Sequence, residues 1–111
     1  LTLPPAPLLS YAYCSDTDFF PEITRAIEGV TMLYHEATFA EADVKRARET
    51  FHSTAREAAT IATMAGTQKL LIGHLSARYR ETDTLLAEAH AVFPDTEVAT
   101  DGQVYNLGLN P

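Results

Sequence analysis

Within Gly73-His74-Leu75-Ser76-Ala77-Arg78-Tyr79, an imidazole stands directly behind the apolar run Leu70-Leu71-Ile72 and directly ahead of a polar loop. The middle of a strand buried on both faces has little use for such a group. The carboxyl end of that strand, however, is where open α/β sheets gather their catalytic groups. His74 is therefore a candidate metal ligand or catalyst. Two other segments have the same form: Tyr11-Ala12-Tyr13-Cys14 leads into Ser15-Asp16-Thr17, and Val30-Thr31-Met32-Leu33-Tyr34 leads into His35-Glu36-Ala37-Thr38-Phe39. Three strand ends thus each deliver an ionisable side chain, as metal binding or acid and base work requires.

The elements that must position these groups follow from local signals. A strand over 10–15 leads to Pro21, which suits a first helical position, and Glu22 in the first turn favours a helix over 21–28 that buries Ile23, Ala26 and Ile27. Gly29 ends it and a second strand covers 30–34, so the crossover is long enough for parallel pairing. Residues 41–49 read as a short, exposed helix with only Val44 and Ala47 to bury. Thr54 followed by Glu57 is a capping box, and Ala55, Ala58, Ala59, Ala62 and Ala65 recur at helical spacing up to Gly66. A third strand over 69–72 and a helix over 83–93, stopped by Pro94, come next. Asp101-Gly102 between 97–99 and 103–107 signals a hairpin that would add an antiparallel pair.

The chain has 111 residues, 46% of them hydrophobic, which excludes a disordered tail and fits a single domain. Residues 1–9 read as a proline-rich lead-in or linker and 10–111 as the folded part. No apolar run approaches the roughly 20 residues that span a bilayer, so no membrane role is expected. Cys14 is the single cysteine, which rules out an internal disulfide and suits a reducing cytoplasm; within its apolar run it reads as a small buried hydrophobe. A net charge of −7 argues against a broad nucleic-acid surface on this chain, because neutralising phosphates takes clustered Lys and Arg.

Together with Phe51-His52-Ser53-Thr54-Ala55, the three strand-end strings resemble ribonuclease Z, the tRNA 3′-end-processing endonuclease family of the metallo-β-lactamase superfamily. The resemblance runs from Tyr11 to Asn106 in the family's order, and its weight lies in His-Glu-Ala-Thr-Phe and His-Ser-Thr standing in correct sequence. The family's His-x-His-x-Asp-His metal motif is absent. The resemblance therefore implies the carboxy-terminal half of a metallo-β-lactamase αββα fold, an α/β architecture with a mixed sheet and helices on one face. The other face is left for an amino-terminal half of the same enzyme. It also implies two zinc ions per complete site, precursor tRNA as substrate, a homodimer, and RNA-gripping basic groups outside this chain.

Residue by residue, the resemblance makes Asp16 a carboxylate bridging two metals and His74 a ligand of one of them. Read without it, Asp16 is a helix N-cap or Asx turn before Pro21. His35 matches the family histidine proposed to contact the scissile phosphate or protonate the leaving group, a task suited to an ordinary pKa near 6.5. His52, Ser53 and Thr54 stand where a helix begins, a ready phosphate site, although Thr54 can equally serve only as the cap. Glu36 is a supporting residue at most, since its neighbour His35 should point the other way. Arg78 either clamps a phosphate or pairs with an acid, and His90 is a surface residue. Two rival readings are a related superfamily hydrolase acting on another phosphodiester or a sulfate ester, and a non-catalytic dimerisation or binding module. The fragment alone should be inactive.

Overall fold

The computed structural model describes residues 10–15 and 17–99. Four strands, β1 (Tyr11–Cys14), β2 (Met32–Glu36), β3 (Lys69–Gly73) and β4 (Thr96–Val98), form one sheet in the order β1-β2-β3-β4. Every pairing is parallel, with Cys14 opposite His35, His35 opposite Ile72 and Ile72 opposite Val98. A sheet whose parallel strands follow one another in sequence order, joined by right-handed crossovers, carries all its connections on one face. The packing agrees. Leu33, Leu70 and Ile72 are buried with the alanines of helix α2 (Ala55–Ala65) and with Leu85 and Ala89 of helix α3 (Asp83–Val92). Residues one place away along each strand turn to the opposite face. There Tyr13 is 62% exposed and stacks on Tyr34 with ring centroids 4.5 Å apart.

Helix α2 takes the form its sequence predicts. Thr54 accepts from the Glu57 backbone, the Glu57 carboxylate accepts from the Thr54 backbone, and Gly66 closes the helix in the left-handed region at φ 69°. Its five spaced alanines are all buried, which lets the helix sit close on the sheet. Helix α3 and strand β3 also fall where periodicity placed them, and 41–49 forms a short 3-10 turn followed by helix α1 (Val44–Glu49) with Ala47 buried.

Three expectations need correction. The helix over 21–28 is a single 3-10 segment, Pro21–Arg25, and Ala26 is exposed while Ile27 is buried. Strand β2 begins and ends two residues later than expected, and β3 runs one residue further, to Gly73. His35 and Glu36 therefore lie within the ladder, because their buried polar groups find hydrogen-bond partners there. The four described strands are all parallel; the hairpin expected at 101–102 and its strand over 103–107 lie outside the described residues.

Gly73 is required where it stands. A Cβ there would come within 2.2 Å of the Tyr34 hydroxyl, so the Tyr34 ring lies across the glycine.

Candidate metal centre

The carboxyl ends of β2 and β3 and the amino end of α2 converge on Glu36. Its carboxylate is fully buried and accepts from four donors: the Thr17 backbone, the Thr38 hydroxyl, the His52 Nδ1–H at 3.0 Å from each oxygen, and the Ser53 backbone at 3.3 Å. Backbone N–H groups can only donate, so these contacts define Glu36 as an acceptor hub. Such a dense donor set is what makes a buried carboxylate tolerable. Ser53 also donates its hydroxyl to the Thr17 carbonyl at 2.7 Å, so the segment after Asp16 is tied to the start of α2. Asp16 itself lies outside the described residues.

His52 and His74 stand beside this hub with ring centroids 5.2 Å apart. Both are delivered from left-handed backbone: His74 has φ 57°, and Phe51, directly before His52, has φ 58°. Bulky residues are rarely held there, and such outliers gather at functional sites. The His74 Nδ1 meets the Thr38 hydroxyl at 3.1 Å. Ligand atoms of Glu36, His52 and His74 all lie within 4.8 Å of one another, and the three pass from buried through half-buried to exposed, so the cluster opens toward solvent. Two imidazoles and a carboxylate are a donor set that suits zinc. The donors crowd the Glu36 oxygens, and one of them is the His52 ring itself, so the carboxylate could either ligate a metal or orient the imidazole beside it.

His35, on the adjacent residue, faces the opposite side of the sheet. It is 1% exposed, and its Nδ1 donates to the Glu36 carbonyl at 2.7 Å. Burial pushes the imidazole below its ordinary pKa, against smaller opposing contributions from that hydrogen bond and the Glu36 charge. The ring borders a cavity of about 220 Å³ shared with Cys14, Ser15, Thr17, Phe20 and Ile23. Burial likewise raises the Cys14 thiol, in keeping with a small hydrophobe packed against the core.

The remaining site residues are engaged within the chain. Ser53 and Thr54 are fully buried, with the Ser53 N–H on Glu36 and the Thr54 N–H on Glu57, so a phosphate reaches them only by displacing these bonds. Arg78 pairs with Asp43 at 3.3 Å and lies 5.8 Å from the Phe39 ring centroid. His90 is exposed, with Nε2 2.7 Å from the Thr96 carbonyl oxygen. Sequence reasoning missed two things here: that Glu36 is the hub, and that His52 stands with His74 as a metal-binding candidate. It also missed Arg48, which bridges Asp18 at 3.0 Å and Glu57 at 2.6 Å while donating to the His52 carbonyl at 2.8 Å.

No family model matches the chain. Individual proteins do. A metallo-β-lactamase fold protein from Bacillus subtilis, YhfI, superposes with a TM-score of 0.76 at 28% identity, over 84% of this chain and 38% of that one. The short form of human tRNase Z superposes with a TM-score of 0.61 at 25% identity, over 78% of this chain and 28% of the human chain. The fold, with its acid and imidazole cluster at the carboxyl strand ends, is thus that of part of a metallo-β-lactamase domain.

The sequence narrows the class further. Ribonuclease Z of Porphyromonas gingivalis is 57% identical over 101 residues, 91% of this chain and 33% of the relative, and ribonuclease Z of Bacteroides fragilis is 53% identical over 107 residues, 96% and 35% respectively. The chain is similar to ribonuclease Z over most of its own length and spans about a third of the length of these curated relatives.

Proposed function

We propose that this chain is part of a zinc-dependent endoribonuclease that removes the 3′ trailer from precursor tRNA and leaves a tRNA 3′-hydroxyl. The observation that carries this reading is the convergence of the His-Glu-Ala-Thr, His-Ser-Thr and Gly-His-Leu-Ser strings on one Glu36, His52 and His74 cluster in a chain 57% identical to a ribonuclease Z. His52 and His74 would hold metal, with Asp16 as the bridging carboxylate assigned from the family motif. Two zinc ions, when bound, supply a hydroxide nucleophile at neutral pH and charge stabilisation at the phosphoryl oxygens. The remaining ligands and the RNA-gripping surface belong to the portion of a ribonuclease Z that this chain does not span, and the chain alone is inactive.

His35 is kept as the group that handles the leaving-group proton on the family resemblance alone, since its buried ring lies across the sheet from the Glu36, His52 and His74 cluster. Its Nδ1–H is held by the Glu36 carbonyl, so in the neutral ring Nε2 carries the lone pair. An anionic phosphate beside Nε2 offsets the desolvation that disfavours the charged ring, so the imidazole takes up its proton when substrate arrives and can pass it to the departing 3′ oxygen. Ser53 and Thr54 act on the phosphate indirectly, by holding His52 at the start of α2. Arg78 braces the loop through Asp43. We place the complete enzyme in the cytoplasm as a homodimer, on the family resemblance; no described helix is long and apolar enough to cross a membrane.

A second reading, a superfamily hydrolase acting on another phosphodiester or a sulfate ester, rests on the fold alone, which YhfI shares. Offering the complete enzyme a precursor tRNA and a small phosphodiester side by side separates the two. Efficient cleavage of the precursor at its 3′ side is expected, and turnover of only the small ester would favour the second reading.

A further inference from the structure

Three of the eight basic residues, Lys45, Arg46 and Arg48, fall within four consecutive positions of a chain whose net charge is −7. All three lie on helix α1, where Glu49 is the only acid. Arg48 is engaged by Asp18 and Glu57, whereas Lys45 and Arg46 are exposed and make no ion pair among the described residues. Two residues past the end of α1, Phe51 is 71% exposed and is held at φ 58°. A bulky residue on left-handed backbone is strained, and glycine would relieve that strain. The strain secures no packing here, because the ring stands in solvent; outliers of this kind gather where a chain binds or reacts. The next residue is His52 of the candidate metal cluster.

We infer that Phe51 is a stacking platform for an unpaired nucleotide beside the scissile phosphate, and that Lys45 and Arg46 neutralise the backbone of the same RNA strand. The inference rests on the proposed ribonuclease activity and names where on this chain its RNA lies. Every base has a π face, so an exposed ring next to cations without an ion pair fits a single strand whatever its sequence. A duplex fits less well, because its bases are already stacked on one another. The body of the substrate is gripped elsewhere, in keeping with the net charge of −7, and this patch orients only the strand that enters the site.

Glycine at position 51 separates stacking from folding, because it removes the ring and suits the backbone that the ring strains. In the complete enzyme, Phe51→Gly should match or exceed the wild-type urea midpoint. It should nevertheless lose on the order of 5-fold to 100-fold in affinity for a precursor tRNA with a single-stranded trailer, the range for one base stacked on an aromatic ring. Phe51→Tyr, which keeps a ring, should keep the affinity. Lys45→Gln combined with Arg46→Gln should reduce the slope of log affinity against log salt by about 1.4, at about 0.7 for each phosphate neutralised on a single strand. The inference is overturned if Phe51→Gly binds the precursor as wild type does, or loses affinity only together with stability. It is equally overturned if the double variant keeps the wild-type salt slope. Dissociation of Phe51→Gly into protomers, read by sedimentation, would place the ring in a subunit contact and overturn it as well. A wild-type enzyme that binds no precursor tRNA would instead sink the ribonuclease reading itself, and the inference with it.

Discussion

His52 and His74 place their ring centroids 5.2 Å apart at the ends of two different structural units, each on or directly after a residue in the left-handed backbone region. Nothing in the local pattern of either segment requires the other. The proximity arises because Phe39 and Thr54 form a bridge that docks the start of α2 beside β2, while β2 and β3 are in parallel register up to Glu36 opposite Gly73.

If these rings share a metal, each substitution should remove it. His52→Ala and His74→Ala in the complete enzyme are expected to lower retained zinc and tRNA cleavage together. Metal analysis after dialysis checks this, and full zinc content in either variant would remove that residue from the ligand set. Asp16→Ala should lose more metal than His74→Ala, since a bridging carboxylate touches both ions.

His35 should behave differently. His35→Ala is expected to keep its zinc and its affinity for precursor tRNA while losing on the order of 10²–10⁴ in single-turnover rate, the scale of a positioned acid or base.

The same ring gives a pH signature. Because burial lowers the folded pKa of His35, the unfolded chain binds the proton first as pH falls below its ordinary value of about 6.5. The stability His35 contributes is thus whole above that value and is lost as pH falls toward the depressed folded one. Urea denaturation of wild type and His35→Gln at about pH 7 and about pH 5 should show the steeper loss in wild type. Parallel losses would place the ring in a solvated setting.

Gly73→Ala should force Tyr34 aside and cost about 1–3 kcal/mol, the range for overpacking. The double variant with Tyr34→Ala should recover part of that loss, a coupling that denaturation of all four proteins measures.

Much of the scaffold was legible because its signals are local. Thr54, Glu57 and Gly66 bound α2 through their own side chains and backbone, and the alanine spacing assigned its buried face before any tertiary contact was known. The end of β2 was not legible, because Glu36 is charged and reads as a loop residue; donors from Thr17, Thr38, His52 and Ser53 make its burial possible. The same distance effect hid the candidate metal cluster. His74 could be singled out as an imidazole at a strand end, but its pairing with His52 depends on sheet register and on where α2 docks.

The central claim is that this chain brings a metal-binding pair of histidines and a separate proton-handling histidine to one phosphodiester. Zinc content measured on parallel preparations of the complete enzyme carrying His35→Ala or His52→Ala tests it most directly. The account predicts wild-type zinc in His35→Ala and depleted zinc in His52→Ala. Zinc lost equally from both variants, or retained fully in both, would contradict it.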